Sequence, residues 1–95
     1  VVDEPVLSSA AIGADASQAA YFRGFLIDER MQVLGDLAQS RQRLRECLER
    51  TQVVGLRSMA RARGAVRELE ARQRELERLI TALDHRFAAQ WAREG

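Results

Sequence analysis

Between Met59 and Phe87 every third and fourth residue, taken alternately, gives Met59, Ala62, Val66, Leu69, Gln73, Leu76, Ile80, Leu83, Phe87, all apolar but Gln73. This is an a/d heptad, with β-branched Val66 and Ile80 at a and leucine at three of the four d positions. A helix with one apolar seam must bury it against another helix, so the pattern predicts one strand of a coiled coil or bundle. Leu79 at g widens the apolar face beyond a two-stranded zipper, and Gln73 at an a position is polar. Both details favour a bundle of three or four helices.

The preceding stretch, from Ala19 to Thr51, also has the composition of a helix. Ala19 to Ile27 is apolar on nearly every side, which predicts cover on more than one face. Further on, Leu26, Val33, Leu37, Leu44 and Leu48 step by seven, four, seven and four. That is an eleven-residue pattern, whose drift is opposite to a heptad's. Gly35 interrupts it at a cost of about 1 kcal/mol against alanine, and Gly35-Asp36 is a candidate break in the helix.

Thr51 to Ser58 is the best turn. Thr51, Val53 and Val54 are mediocre helix formers, Gly55 can take the left-handed conformation that ends a helix, and Ser58 can cap the next one. Two arms follow, about 16–53 and 58–93, with the turn at about 54–57. Each is about 55 Å long at the α-helical rise. Arms of equal length are expected of an antiparallel hairpin. Such a fold also brings Tyr21, Phe22 and Phe25 to the same end as Phe87 and Trp91. Residues 1–14, with Pro5, Ser8, Ser9 and Gly13, read as an irregular arm, and Asp15 or Ser17 as the cap that starts the first helix. Residues 15–95 are the hairpin itself.

The expected fold is therefore all-α: a long, antiparallel, coiled-coil-like helical hairpin that dimerises into a four-helix bundle. Its oligomer seam comprises Leu26, Val33, Leu37, Leu44 and Leu48 from the first arm. The second arm contributes Met59, Val66, Leu69, Gln73, Leu76, Ile80, Leu83 and Phe87. On the surface of the second arm, Glu68–Arg72 and Glu70–Arg74 have the favourable i,i+4 orientation.

Composition adds little to the fold but shapes the choice of partner. All 15 basic residues are arginine, set against 14 acids, for a net charge of +1. GC-rich coding explains the missing lysine most simply; selection for bidentate anion contacts is the alternative. The charges are not evenly spread. Residues 1–36 carry six acids and two arginines, a net −4. Residues 41–67 carry eight arginines and two glutamates, a net +6. Residues 68–95 carry five arginines and six acids, a net −1. In a hairpin this gives a basic tip, where Arg57, Arg61, Arg63 and Arg67 are candidate anion-binding residues for an acidic partner. The tip lacks aromatic residues for base stacking, and no helix-turn-helix pattern accompanies it.

Little else points to chemistry. One cysteine, Cys47, forms neither an internal disulfide nor a cysteine-based zinc cluster, and suits a reducing compartment. Cys47 is expected in the helix seam, although Arg43, Arg45 and Arg50 nearby are of the kind that lower a thiol pKa. His85 has no second ligand one turn on, since residue 89 is alanine, and takes an outward heptad position. Asp28–Glu29 and Glu75–Glu77 are spaced along a surface, and no phosphate loop, nucleophile elbow or HExxH motif is present. No enzyme activity, cofactor or metal is expected. No apolar run is long enough to span a bilayer, and the first residues do not resemble a signal peptide, so a bacterial cytoplasmic location is expected.

The two Arg/Glu-rich arms resemble coiled-coil hairpins, including the stalk proteins of flagella and type III secretion. That likeness rests on the heptads and assigns no role to any residue. The function expected is non-enzymatic: a protein-interaction or oligomerisation module acting as an adaptor, small chaperone or regulator. Its partners are a second copy, as a homodimer, and a protein bound through Tyr21, Phe22, Phe25 and Trp91. The alternative is a nucleic-acid-associated regulatory factor using the arginine-rich tip.

Overall fold

The computed structural model describes residues 9–50 and 55–94, and within them the side chains of 15–50 and 55–93. Two helices account for almost all of it: α1, Ser9–Glu49, and α2, Leu56–Glu94. They pack antiparallel along their length. The molecule measures 69 × 31 × 15 Å, with a radius of gyration of 20.7 Å. A compact domain of this length would have a radius near 12 Å, so the chain is a rod rather than a globule.

α1 is longer at its start than the sequence predicts. Ser9 to Ala14 are helical, so the irregular arm does not extend to residue 14, and residues 1–8 lie outside the described part. Asp15 and Ser17 are inside α1, not at its cap. Ala10, Ala11, Ile12, Ala14 and Ala16 outweigh Gly13, because alanine fixes no side-chain rotamer on entering a helix. At the other end α1 stops at Glu49, before the expected residue 53. The Arg50 N–H there donates to the carbonyls of both Glu46 and Cys47, each at 3.1 Å. Such a shared bond is usual in a closing turn.

The connection also differs in detail from expectation. Thr51 to Val54 lie outside the described residues. Gly55 is not in the left-handed conformation; no described glycine has a positive φ. It serves instead as the start of α2, its carbonyl accepting from the N–H groups of Ser58 (3.1 Å) and Met59 (3.2 Å). Ser58 is therefore within the first turn rather than capping it. Gly35 does not break α1, which continues through both Gly24 and Gly35. A Cβ added at either would meet nothing within 4 Å, so neither glycine serves close packing inside the hairpin.

Burial corrects the phase of α1. Its buried residues are Ala16, Ala19, Leu26, Val33, Leu37 and Ser40, and Arg23, Arg30, Leu44 and Cys47 are half-buried in line with them. The steps between all ten alternate between three and four, which is a regular heptad with a at 16, 23, 30, 37 and 44. The eleven-residue pattern is not the one used, and Leu48 is 44% exposed while Cys47 takes the seam position. Small and charged residues hid this heptad in the sequence. α2 contributes buried Met59, Val66, Leu76 and Ile80, with Ala62, Leu69, Gln73, Leu83 and Phe87 half-buried. Leu26, Val33, Leu76 and Ile80 form the central cluster, with Ile27, Leu69 and Leu83 against it. Each large aliphatic side chain so buried contributes about 1.5–3 kcal/mol.

Candidate interaction surface

The seam assigned to burial between copies is closed within one chain. Leu26, Val33, Leu37, Met59, Val66, Leu76 and Ile80 are all buried by the opposite arm, and Leu44, Leu69, Gln73, Leu83 and Phe87 partly so. Polar contacts fix the register. On one flank Arg41 donates to Glu70 at 3.1 Å, joining two e positions. On the other, Arg72 and Glu29, both at g, approach to 3.7 Å. Arg72 also pairs with Glu75. Glu70 and Arg72 thus find partners other than the i,i+4 neighbours expected from the sequence. An antiparallel pair matches e with e and g with g, which is why these charges reach across.

The open end of the hairpin is tied by side chains. Phe87 and Trp91 stack with ring centroids 5.7 Å apart, and the Arg86 guanidinium lies 5.2 Å from the Phe87 ring centre. The Trp91 indole N–H donates to the Ala16 carbonyl at 2.9 Å. Trp91 is therefore half-buried structure, not part of an exposed patch. One heptad inward, the Arg23 guanidinium donates to both oxygens of Asp84, at 2.5 and 3.1 Å. Those hydrogen bonds, with a smaller coulombic contribution, hold the Asp84 carboxyl below its usual range and raise Arg23 further, partial desolvation opposing both.

What remains uncovered is concentrated on the middle of α1, between residues 21 and 34. Tyr21 is 83% exposed, Met31 66%, Phe25 55%, Phe22 48% and Leu34 41%. Heptad phase sorts them onto two flanks. Phe22 and Phe25 lie on the g/c side, the flank of the Glu29–Arg72 pair, and share it with Leu79 of α2, itself 41% exposed. Tyr21 is outermost, and a shallow groove runs between Ala20, Tyr21, Gly24, Phe25 and Asp28. Met31 and Leu34 lie on the other, e/b side with partly buried Ile27. Met31, Leu34 and Leu79 are exposed apolar residues that the sequence pattern did not single out as surface. The heptad phase of α1 places Met31 at b and Leu34 at e, outside the seam.

The tip is predominantly basic at its surface, with Glu46 and Glu49 exposed among its arginines. Arg41, Arg43, Arg45, Arg50, Arg57, Arg61, Arg63 and Arg67 are all exposed, as is Leu56 at 84%. A small concavity there is lined by Arg43, Glu46, Cys47 and Arg50. His85 is exposed and Cys47 is a free, half-buried thiol. Among the described residues no helix is long and apolar enough to cross a membrane, and no three His, Cys, Asp or Glu side chains are grouped to hold a metal ion. The chain matches no protein-family model, no curated protein and no solved structure.

Proposed function

We propose that this chain is a non-enzymatic interaction and oligomerisation module, of the adaptor, small-chaperone or regulator kind, that works through the uncovered flanks of α1. One observation carries the reading: with the seam already filled by the chain's own second arm, Tyr21, Phe22, Phe25, Met31 and Leu34 stay exposed on a single stretch of four turns. Clustered large apolar side chains of that kind mark places where another protein surface binds. The rigid, antiparallel rod acts as the scaffold, and the two flanks present the contacts.

Sedimentation from low to high micromolar concentration, joined to capture of binding partners from the native host's extract, tests this. The expected result is self-association, together with a partner that is lost when Tyr21 and Phe25 are changed to serine. A chain that stays monomeric and binds nothing through these residues overturns the reading.

A second reading rests on the tip, whose eight arginines are all exposed. It would bind nucleic-acid phosphate by charge, with affinity falling steeply as salt rises. Absence of salt-sensitive DNA or RNA binding at low ionic strength overturns it.

A further inference from the structure

Once the phase of α1 is fixed by burial, a second stripe becomes visible on the same helix. Its e and b positions between 20 and 38 read Ala20, Gly24, Ile27, Met31, Leu34, Ala38, stepping by four, three, four, three, four. All six are apolar or glycine. Only Ile27 is half-buried, as it leans on the hairpin core; the other five are exposed. A 3–4 spacing over this length is what a helix needs to pack a further helix alongside, and among the described residues no helix of this chain lies there. We infer that the occupant is α1 of a second copy, laid antiparallel across a two-fold axis between Ile27 and Met31. This rests on the oligomerisation reading above and names its surface.

Three features of the stripe select that occupant. The step pattern is the same read from either end, so an antiparallel copy meets it in register: Ala20 faces Ala38, Gly24 faces Leu34, and Ile27 faces Met31. A self-complementary patch is what a two-fold dimer requires. In that register the largest gap receives a large side chain. Gly24 has open space where a Cβ would be, and the partner's Leu34, now 41% exposed, fills it. This also accounts for a glycine in an exposed helix interior that the hairpin alone does not use.

Charge decides the direction. Antiparallel copies set Arg43 of the basic tip level with Asp15 of the second copy and hold the two tips, each net +6 over residues 41–67, at opposite ends of the dimer. Parallel copies would stack two basic tips. The flank of α2 beside the stripe carries Arg63, Glu70, Glu77 and Asp84, too polar to replace it as the central contact. Asp28 borders the stripe and comes near its own copy at the axis. That repulsion is exposed to solvent and screened at ordinary ionic strength.

The test uses sedimentation equilibrium of the whole chain and of two variants, with circular dichroism as the check on folding. Met31→Glu puts a charge beside the axis at a position already 66% exposed, so the hairpin should keep its helicity. The wild type should approach the mass of two chains with rising concentration. Met31→Glu should remain monomeric over the same range. Phe22→Ser/Phe25→Ser, on the opposite flank, should dimerise like the wild type. A spin label at residue 42, exposed and beyond the stripe, introduced as Gln42→Cys in a Cys47→Ser background, reads orientation. Antiparallel copies separate the two labelled sites by about 39 Å along the axis, whereas parallel copies bring them side by side. A dimer that survives Met31→Glu and is lost in the aromatic variant, or labels found adjacent, overturns this seam and leaves self-association standing. A wild type that is monomeric throughout overturns both.

Discussion

The indole N–H of Trp91 bonds the carbonyl of Ala16 at 2.9 Å, closing a loop of 75 residues with one hydrogen bond at the open end of the rod. Trp91 also stacks on Phe87, so one side chain fixes where both helices end relative to each other.

Trp91→Phe should keep most of the stacking and lose the hydrogen bond, costing about 0.5–1.5 kcal/mol. Trp91→Ala should cost more, about 2 kcal/mol, short of a fully buried tryptophan because this one is half-exposed. Urea unfolding followed by circular dichroism measures both. Equal stability of wild type and Trp91→Phe would show that the bond contributes nothing net.

Asp84 gives the hairpin a defined response to acid. Its carboxyl is held below the ordinary value of 3.8 by the Arg23 hydrogen bonds. A group whose folded pKa is depressed adds stability that is whole above the unfolded pKa and is lost as pH falls through the folded one. Thermal midpoints should therefore drop below about pH 4 in the wild type, and Asp84→Asn should flatten that part of the profile. An unchanged acid limb in Asp84→Asn would assign the response to other carboxylates.

The heptad phase of α1 is directly testable. Leu37 is fully buried and Leu48 is 44% exposed, although the two belong to one stripe in the sequence. Leu37→Ala should cost about 3 kcal/mol. Leu48→Ala should cost under about 1 kcal/mol, since most of the transfer term is already forgone. Comparable losses at the two positions in chemical denaturation would restore the eleven-residue phase.

Gly35 lies in an unbroken helix with open space where a Cβ would go. Gly35→Ala should stabilise the chain by about 1 kcal/mol, by lowering the entropy of the unfolded state. That is about 4–8 °C in the thermal midpoint of a domain this size. A lower midpoint would mean the glycine serves a contact made outside the hairpin.

The α2 heptad was legible because its a and d positions carry large aliphatic residues, and leucine every seven residues admits one phase. The equal arms, and so the hairpin, followed from it. α1 was harder. Ala16, Ala19, Arg23, Arg30 and Ser40 occupy seam positions without standing out as apolar, while Leu48 looks like core and is exposed. Its seam tolerates small and charged side chains because Arg23 has Asp84 to answer it. Trp91 was misplaced for a similar reason: an aromatic residue near a chain end reads as surface until its partner, here a backbone carbonyl, is known. The basic tip was fully legible, since charge needs only the topology to be gathered in space.

The antiparallel register also orders the way the molecule forms. Arg41 and Glu70 are 29 residues apart in the chain, Arg23 and Asp84 are 61 apart, and Trp91 and Ala16 are 75 apart. Each contact nearer the tip shortens the loop the next must close. Closing 75 residues directly rather than 29 costs about 0.8 kcal/mol more in chain entropy. The hairpin is thus a zipper whose teeth engage from the turn outward, and whose free end opens first. Amide hydrogen exchange should be slowest around Val33 and Leu76 and fastest towards Ala16 and Trp91, so that exposed Tyr21, Phe22 and Phe25 lie towards the end the molecule releases most readily, while Met31 and Leu34 flank its slowest part.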